Sequence, residues 1–250
     1  MSILKYDAET TTWSPQGKLL QVDYAMEAVK QGSICLAIRS SESAVLVSVK
    51  KNPTRLATYQ EKLFKISNHA GIGISGMTAD ARVLCKFMRN LNTEYQIQYS
   101  KNCSASRLAH KASRKYQNKT NVSGKRPFGV GILLIGYTHT GEPKVFELNP
   151  MGECLEYEAY AIGAKSQTAK TYLEKYLDHF ENSNNDELIL QALGAVKAGY
   201  RDEKEEMTEN NVEVSFLDKK HGYVSLKVGE IKSYLDRLKT FNPERRMLVE

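Results

Sequence analysis

No stretch of the sequence approaches the roughly 20 consecutive apolar residues a membrane-crossing helix needs, so a transmembrane helix is not expected. Cysteine is scarce, and Cys35, Cys85, Cys103 and Cys154 lie far apart without a Cys-x-x-Cys pair. The five histidines offer no His-x-x-x-His pair. Ligand spacing of that kind is what a zinc site requires, so neither metal nor cofactor is expected, and the four thiols should be free and buried. The opening "MSILKYDAETTTW" has one lysine and no long apolar run. It lacks the form of a secretory signal, which points to a chain working inside the cell. The Asn-x-Ser/Thr matches at Asn102, Asn118 and Asn121 are then chance.

What is present is ordinary globular material, 41% hydrophobic and 26% charged over 250 residues, enough for a sizeable core. No Pro/Gly/Ser-rich linker divides it, so residues 1–250 read as one domain. The net charge of +6 is uneven, because Lys101 to Arg126 holds eight Lys/Arg and no acid. A basic block of this kind can be a nucleic-acid face. No aromatic cluster or nucleic-acid module accompanies it, which favours a solvated helix face or a contact with an acidic neighbour. No nucleic-acid or membrane partner is expected.

Along the chain, Ser14-Pro15-Gln16-Gly17 fits a type I turn. Leu19, Val22, Met26 and Val29 then recur at helical spacing over 18–31, and Gly32 ends that helix. Two β-rich pairs follow, "ICLAIRS" with "SAVLVSVKK" and "KLFKIS" with "AGIGIS". In the second run Val45, Val47 and Val49 alternate as in a half-buried strand. Thr78 is a good N-cap for a helix striped by Ala81, Leu84, Met88, Leu91 and Tyr95, with Asp80 in its first turn. A basic helix starts near Ser104. Four strands, a helix pair, a hairpin over "VEVSFLD" and "YVSLKV" and a last helix over "IKSYLDRL" complete the order. Strands arrive in hairpin-like pairs, which predicts antiparallel sheets. Ten strands are many for one open sheet. The expected fold is α+β, a four-layer αββα sandwich of two stacked sheets between helix layers.

"GIGISG", Gly71 to Gly76, matches the Gly-x-Gly-x-x-Gly of a dinucleotide loop. Such a loop follows a strand in a βαβ unit. Here the apolar alternation puts the glycines within the strand, where they permit close packing.

Tyr6-Asp7 with "TTWSPQGKLLQVDYAMEAVKQGS" (11–33), then "EKLFKI", "GMTADARVL", "RPFGVGILLIGY" and "AIGAKSQTAKTYLE", resembles the eukaryotic 20S proteasome α subunits. Among the seven kinds, the first stretch looks most like type 1. The resemblance spans nearly the whole chain. It implies the Ntn-hydrolase (proteasome-like) sandwich, and a place in a seven-membered ring of α subunits above the β rings that carry proteolysis. It also implies a non-catalytic role in ubiquitin-dependent protein degradation, in cytoplasm and nucleus, with gating of substrate entry and docking of activators.

The β relatives expose an N-terminal threonine whose own amino group acts as base. Ser33 aligns with that threonine. The helix leading into Gly32 implies that the Ser33 nitrogen stays acylated, and the position sixteen residues on, an aspartate in active relatives, is Val49. Lys62 aligns with their activating lysine, but a unit missing its other members collapses. Catalytic residues are therefore not expected. Two alternatives stay open at this point: a hydrolase using Ser33, and a nucleotide enzyme using Gly71 to Gly76.

By the same resemblance Tyr6, Asp7, Pro15 and Tyr24 match the cluster that holds the open gate, within a segment 1–12. Being polar and threonine-rich, that segment should bury little and so order or disorder at low cost. Many members have arginine where Ala8 stands, which removes a salt bridge from that side. Lys62 matches the lysine that receives an activator's C-terminal tail, with Gly32 and Met77 as walls. That pocket lies between neighbouring α subunits.

Overall fold

The computed structural model describes residues 6–52, 56–200 and 207–241; residues 1–5 of the expected gate segment lie outside them. Helix α1 (Leu20–Gln31) precedes strands β1 (Cys35–Arg39), β2 (Ala44–Val49), β3 (Leu63–Ser67) and β4 (Ala70–Gly76). Helices α2 (Thr78–Tyr99) and α3 (Ala105–Thr120) follow, then β5 (Val130–Tyr137), β6 (Pro143–Leu148), β7 (Cys154–Tyr157) and β8 (Ala159–Ile162). Helices α4 (Ser166–Lys175), α5 (Leu177–Phe180) and α6 (Asn185–Tyr200), strands β9 (Val212–Asp218) and β10 (Gly222–Ser225), and helix α7 (Val228–Thr240) complete the order.

Two five-stranded sheets form, ordered β10-β9-β2-β1-β8 and β3-β4-β5-β6-β7, and their pairings are antiparallel. Period-2 side-chain alternation sorts each strand between two cores. Cys35, Ala37, Ala44, Leu46, Leu133 and Ile135 fill the space between the sheets. Leu36, Ile38, Val45, Val47 and Val49 face α4, α6 and α7, while Ile72, Ile74, Ile132 and Leu134 face α2 and α3. The result is the four-layer sandwich. β2 is buried along its whole length rather than half-buried, because the second sheet covers the face its valines leave.

Four local expectations are corrected. α1 starts at Leu20, not at residue 18, because the turn holds Lys18 back. The Lys18 carbonyl accepts from the Ser14 N–H at 2.9 Å, and the Lys18 N–H donates to Ser14 Oγ at 3.1 Å. Thr78 is the first residue of α2 and not its cap, since Met77 occupies that position without a side-chain bond. The first helix of the pair expected before the last hairpin, which Ala169, Tyr172, Leu173, Tyr176 and Leu177 stripe in sequence, breaks at Tyr176, whose ψ of 16° lies outside the helical range. Cys154 is half-buried, where the other three cysteines are buried; all four are free.

Candidate functional site

The Gly32–Ser33 joint sits at the end of α1, beneath the turn that ends β4. Ser75 Oγ lies 2.9 Å from the Val29 carbonyl and 3.0 Å from the Ser33 carbonyl, so its single proton ties the helix end to the joint. The Gly32 carbonyl accepts from the Ala164 N–H at 2.7 Å, and the Gly32 N–H donates to the Val29 carbonyl at 3.1 Å. A Cβ on Gly32 would stand 2.2 Å from the Gly76 nitrogen and 2.3 Å from Ser75 Oγ. Ser33 is buried, and among the described residues its hydroxyl has no hydrogen-bond partner. Its nitrogen is an amide within the continuous chain and has no free lone pair to take a proton, so it cannot serve as the base for its own hydroxyl. Val49 points away, into the core under the α4, α6 and α7 layer.

The glycines of "GIGISG" are consumed by packing. Those of the strand interior, Gly71 and Gly73, are buried within β4. A Cβ on Gly71 would overlap the Tyr223 ring at 1.9 Å, and one on Gly73 would reach Cys35 Sγ at 2.3 Å. Gly76 turns the chain at φ +107°, close against the Gly129 carbonyl. The motif joins the two sheets and leaves no opening for a phosphate, so the nucleotide alternative falls.

Lys62, Met77 and Gly32 come together around that turn. Gly32 backs onto Ser75 and Gly76, and Met77 follows directly, half-exposed. The Met77 N–H donates to the Gly129 carbonyl at 2.8 Å. Lys62 stands just before β3, its ammonium 3.4 Å from Thr78 Oγ1, which in turn donates to Gln60 Oε1 at 3.1 Å. Glu213 on β9 holds the lysine's backbone from the other sheet: its Oε2 accepts the N–H groups of Lys62 at 2.8 Å and Leu63 at 3.1 Å. Its Oε1 lies 3.6 Å from the Lys50 ammonium. Partial burial lowers the pKa of the Lys62 ammonium, and the charge on Glu213 opposes this only in part. The ammonium is half-buried and lightly engaged, which suits it to receive a carboxylate. Sequence reading missed Glu213 and the hydroxyl of Thr78 as parts of this site. The contact of β3 with β9 depends on the stacking of the sheets, which no local pattern reports.

The expected gate residues are less concentrated. Tyr6 and Asp7 are half-buried, and Pro15 and Tyr24 are exposed; among the described residues no hydrogen bond joins the four. The segment is nonetheless fastened. The Asp7 carbonyl accepts from the Gln21 side chain on α1. Glu9 accepts from Ser123 Oγ at 2.9 Å, and Thr10, buried, donates to the Lys125 carbonyl at 3.1 Å. The expectation of a segment that buries little fails at Thr10.

The basic block divides. Lys115 lies 4.1 Å from the centre of the Phe87 ring, Arg107 over Tyr95 at 5.2 Å and Lys119 over Phe128 at 5.3 Å. Arg126 grips Asp80 through two bonds, of 2.6 and 2.7 Å. Half of the eight cations are therefore engaged within the chain, as cation–π partners or as a bidentate ion pair.

The family model for a "Proteasome subunit" matches residues 29–217, and the model for the N-terminal signature of A-type proteasome subunits matches residues 6–28. The chain belongs to the proteasome subunit family. It is 42% identical to the probable alpha type-6 proteasome subunit of Schizosaccharomyces pombe, over 94% of this chain and 85% of that protein. It is 38% identical to the alpha type-1 proteasome subunit of Dictyostelium discoideum over 96% of each. The alpha type-6 proteasome subunit of Saccharomyces cerevisiae is 40% identical over 86% of this chain and 91% of that protein. Both type numbers occur among the relatives. The N-terminal signature marks the α-type, the non-catalytic outer-ring subunits of the 20S core, and this chain is one of them. The proteasome is a threonine protease whose chemistry lies in other subunits. The acylated nitrogen of Ser33 is the structural counterpart of that division, and the hydrolase alternative falls with it.

Proposed function

We propose that this α-ring subunit receives activator tails through Lys62, between walls formed by Gly32 and Met77, and that Tyr6, Asp7, Pro15 and Tyr24 form its share of the gate. It does so in cytoplasm and nucleus, as the resemblance implies, beside other α subunits and above the β ring. The single observation that carries the pocket is the position of Lys62: a half-buried cation beside Thr78, at the turn where Gly32 and Met77 meet. A neighbouring subunit must supply the opposite wall. Trp13 and Tyr24, 63% and 48% exposed, are large rings with surface to give to such a neighbour. The gate residues lack bonds to one another in the lone chain, which fits a cluster completed across the ring.

Lys62→Ala should assemble into particles normally and bind a peptide with a free C-terminal carboxylate about tenfold more weakly at this pocket, the loss expected for one partly buried charged hydrogen bond. Photo-crosslinking of the peptide to this chain reads occupancy, and equal labelling of both particles would refute the pocket. The same assay has a pH signature. Burial depresses the Lys62 ammonium, so affinity should fall as pH rises, and at lower pH than for an ordinary lysine.

A further inference from the structure

We infer that Asp80 and Arg126 are positioning residues that couple the tail pocket to the gate segment within a single subunit. This rests on the pocket reading above. The link is continuous in hydrogen bonds and one helical turn. Its pocket end is Lys62 against Thr78, the first residue of α2. Two residues on, in the same turn, Asp80 is buried and gives its carboxylate three donors: the two guanidinium nitrogens of Arg126 and the Gly129 N–H at 2.9 Å. Gly129 returns to the pocket through its carbonyl, which accepts from the Met77 N–H. Arg126 follows Lys125, whose carbonyl receives the Thr10 hydroxyl, and Ser123 of the same turn donates to Glu9.

Each step is rigid for a physical reason. The fork of Arg126 fixes both distance and orientation against a carboxylate. The α2 turn transmits displacement because Thr78, Asp80 and Ala81 are buried, Ala81 in the core that the helix shares with β4 and β5. The Thr10 hydroxyl is buried, so breaking its bond exposes or orphans a polar group. The weak point is the far end: Glu9 is exposed, and the segment has few other ties. A shift of the α2 start therefore moves the 123–126 turn, and residues 7–10 either follow it or detach. Proximity alone does not establish coupling, so the test must separate binding from response.

Particles containing Arg126→Ala should be compared with unaltered particles, each with a synthetic peptide ending in a free carboxylate and with its C-terminally amidated form. Arg126→Ala leaves the Asp80 carboxylate, with only 7% of its side chain exposed, on the Gly129 N–H alone, an uncompensated buried charge. The yield of assembled particles therefore checks the fold of the variant. Asp80→Asn combined with Arg126→Ala, which removes the charge together with its partner, is read beside it and should lose the response in the same way. Two quantities are read: photo-crosslinking of the peptide to this chain, and hydrogen exchange of residues 6–12. In unaltered particles the carboxylate peptide should change exchange in 6–12, and the amidated one should not. Arg126→Ala should crosslink equally and lose that change, with Arg126→Lys restoring part of it. Thr10→Val should lose it too, and combining Thr10→Val with Arg126→Ala should add nothing, as for two breaks in one chain. A full exchange response in Arg126→Ala, or lost crosslinking there, would overturn the link. Failure of the pocket reading looks different: Lys62→Ala would then crosslink as well as the unaltered chain.

Discussion

Gly32→Ala should be the most damaging single-methyl change at the site, costing about 3 kcal/mol or more, the upper range for overpacking. The reason is space and not dihedral strain, since φ −63° and ψ 157° suit any residue. The added carbon would stand 2.2 Å from the Gly76 nitrogen and 2.9 Å from the Ser75 carbonyl carbon. Both are backbone atoms, and the turn they belong to is pinned by the Met77 bond to Gly129. The end of α1 would have to lift, stretching the two contacts of Ser75 Oγ and the bond from Ala164. Gly229→Ala provides the contrast. It lies in α7, with nothing within 4 Å of the new carbon, and should be neutral or stabilising by up to about 1 kcal/mol. Thermal unfolding of the two chains, with the yield of assembled particles, checks both. A Gly32→Ala chain as stable as the original would mean that the joint is looser than this geometry.

Asp80→Ala ranks second, with an expected loss of about 3 kcal/mol. Arg126 returns to water at little cost, but the buried Gly129 N–H is left without a partner, a penalty of about 1–3 kcal/mol. The charge-assisted fork that holds the 123–126 turn is lost as well. For a chain of this size the melting temperature should fall by about 10 °C. There is also an acid signature. Burial works to raise the Asp80 carboxyl, but the bonds from Arg126 and Gly129 and the nearby Lys119 outweigh it and hold it below the ordinary value. A carboxyl depressed in the folded state contributes stability above its unfolded pKa of about 3.9, and this is lost as pH falls through the folded value. Acid unfolding should show that contribution in the original chain and not in Asp80→Ala. Equal stability of the two at neutral pH would remove Asp80 from its structural role.

Much of the fold was legible because its layers impose two simple periods. Strands in pairs and apolar stripes at helical spacing are enough to yield two antiparallel sheets between helices. What could not be read locally was decided by contacts distant in sequence. β2 looked half-covered because a strand cannot report the second sheet above it. Thr78 looked like a cap until Gln60 and Lys62 claimed its hydroxyl. "GIGISG" resembled a phosphate loop, and only the Tyr223 ring and Cys35 show what fills its missing side chains. At the site, the resemblance supplied Lys62, Gly32 and Met77. Glu213 lies 151 residues from Lys62, and no motif connects them. Ser33 was the most accessible from sequence, because a helix running into the joint already implies a closed peptide bond.

The most direct test of the account is the intact mass of this chain, taken from purified particles that have been treated with a covalent inhibitor of hydroxyl nucleophiles. The mass should include residues on the N-terminal side of Ser33 and carry no inhibitor, while catalytic subunits of the same particle are labelled. A chain beginning at Ser33 with inhibitor attached there would contradict it.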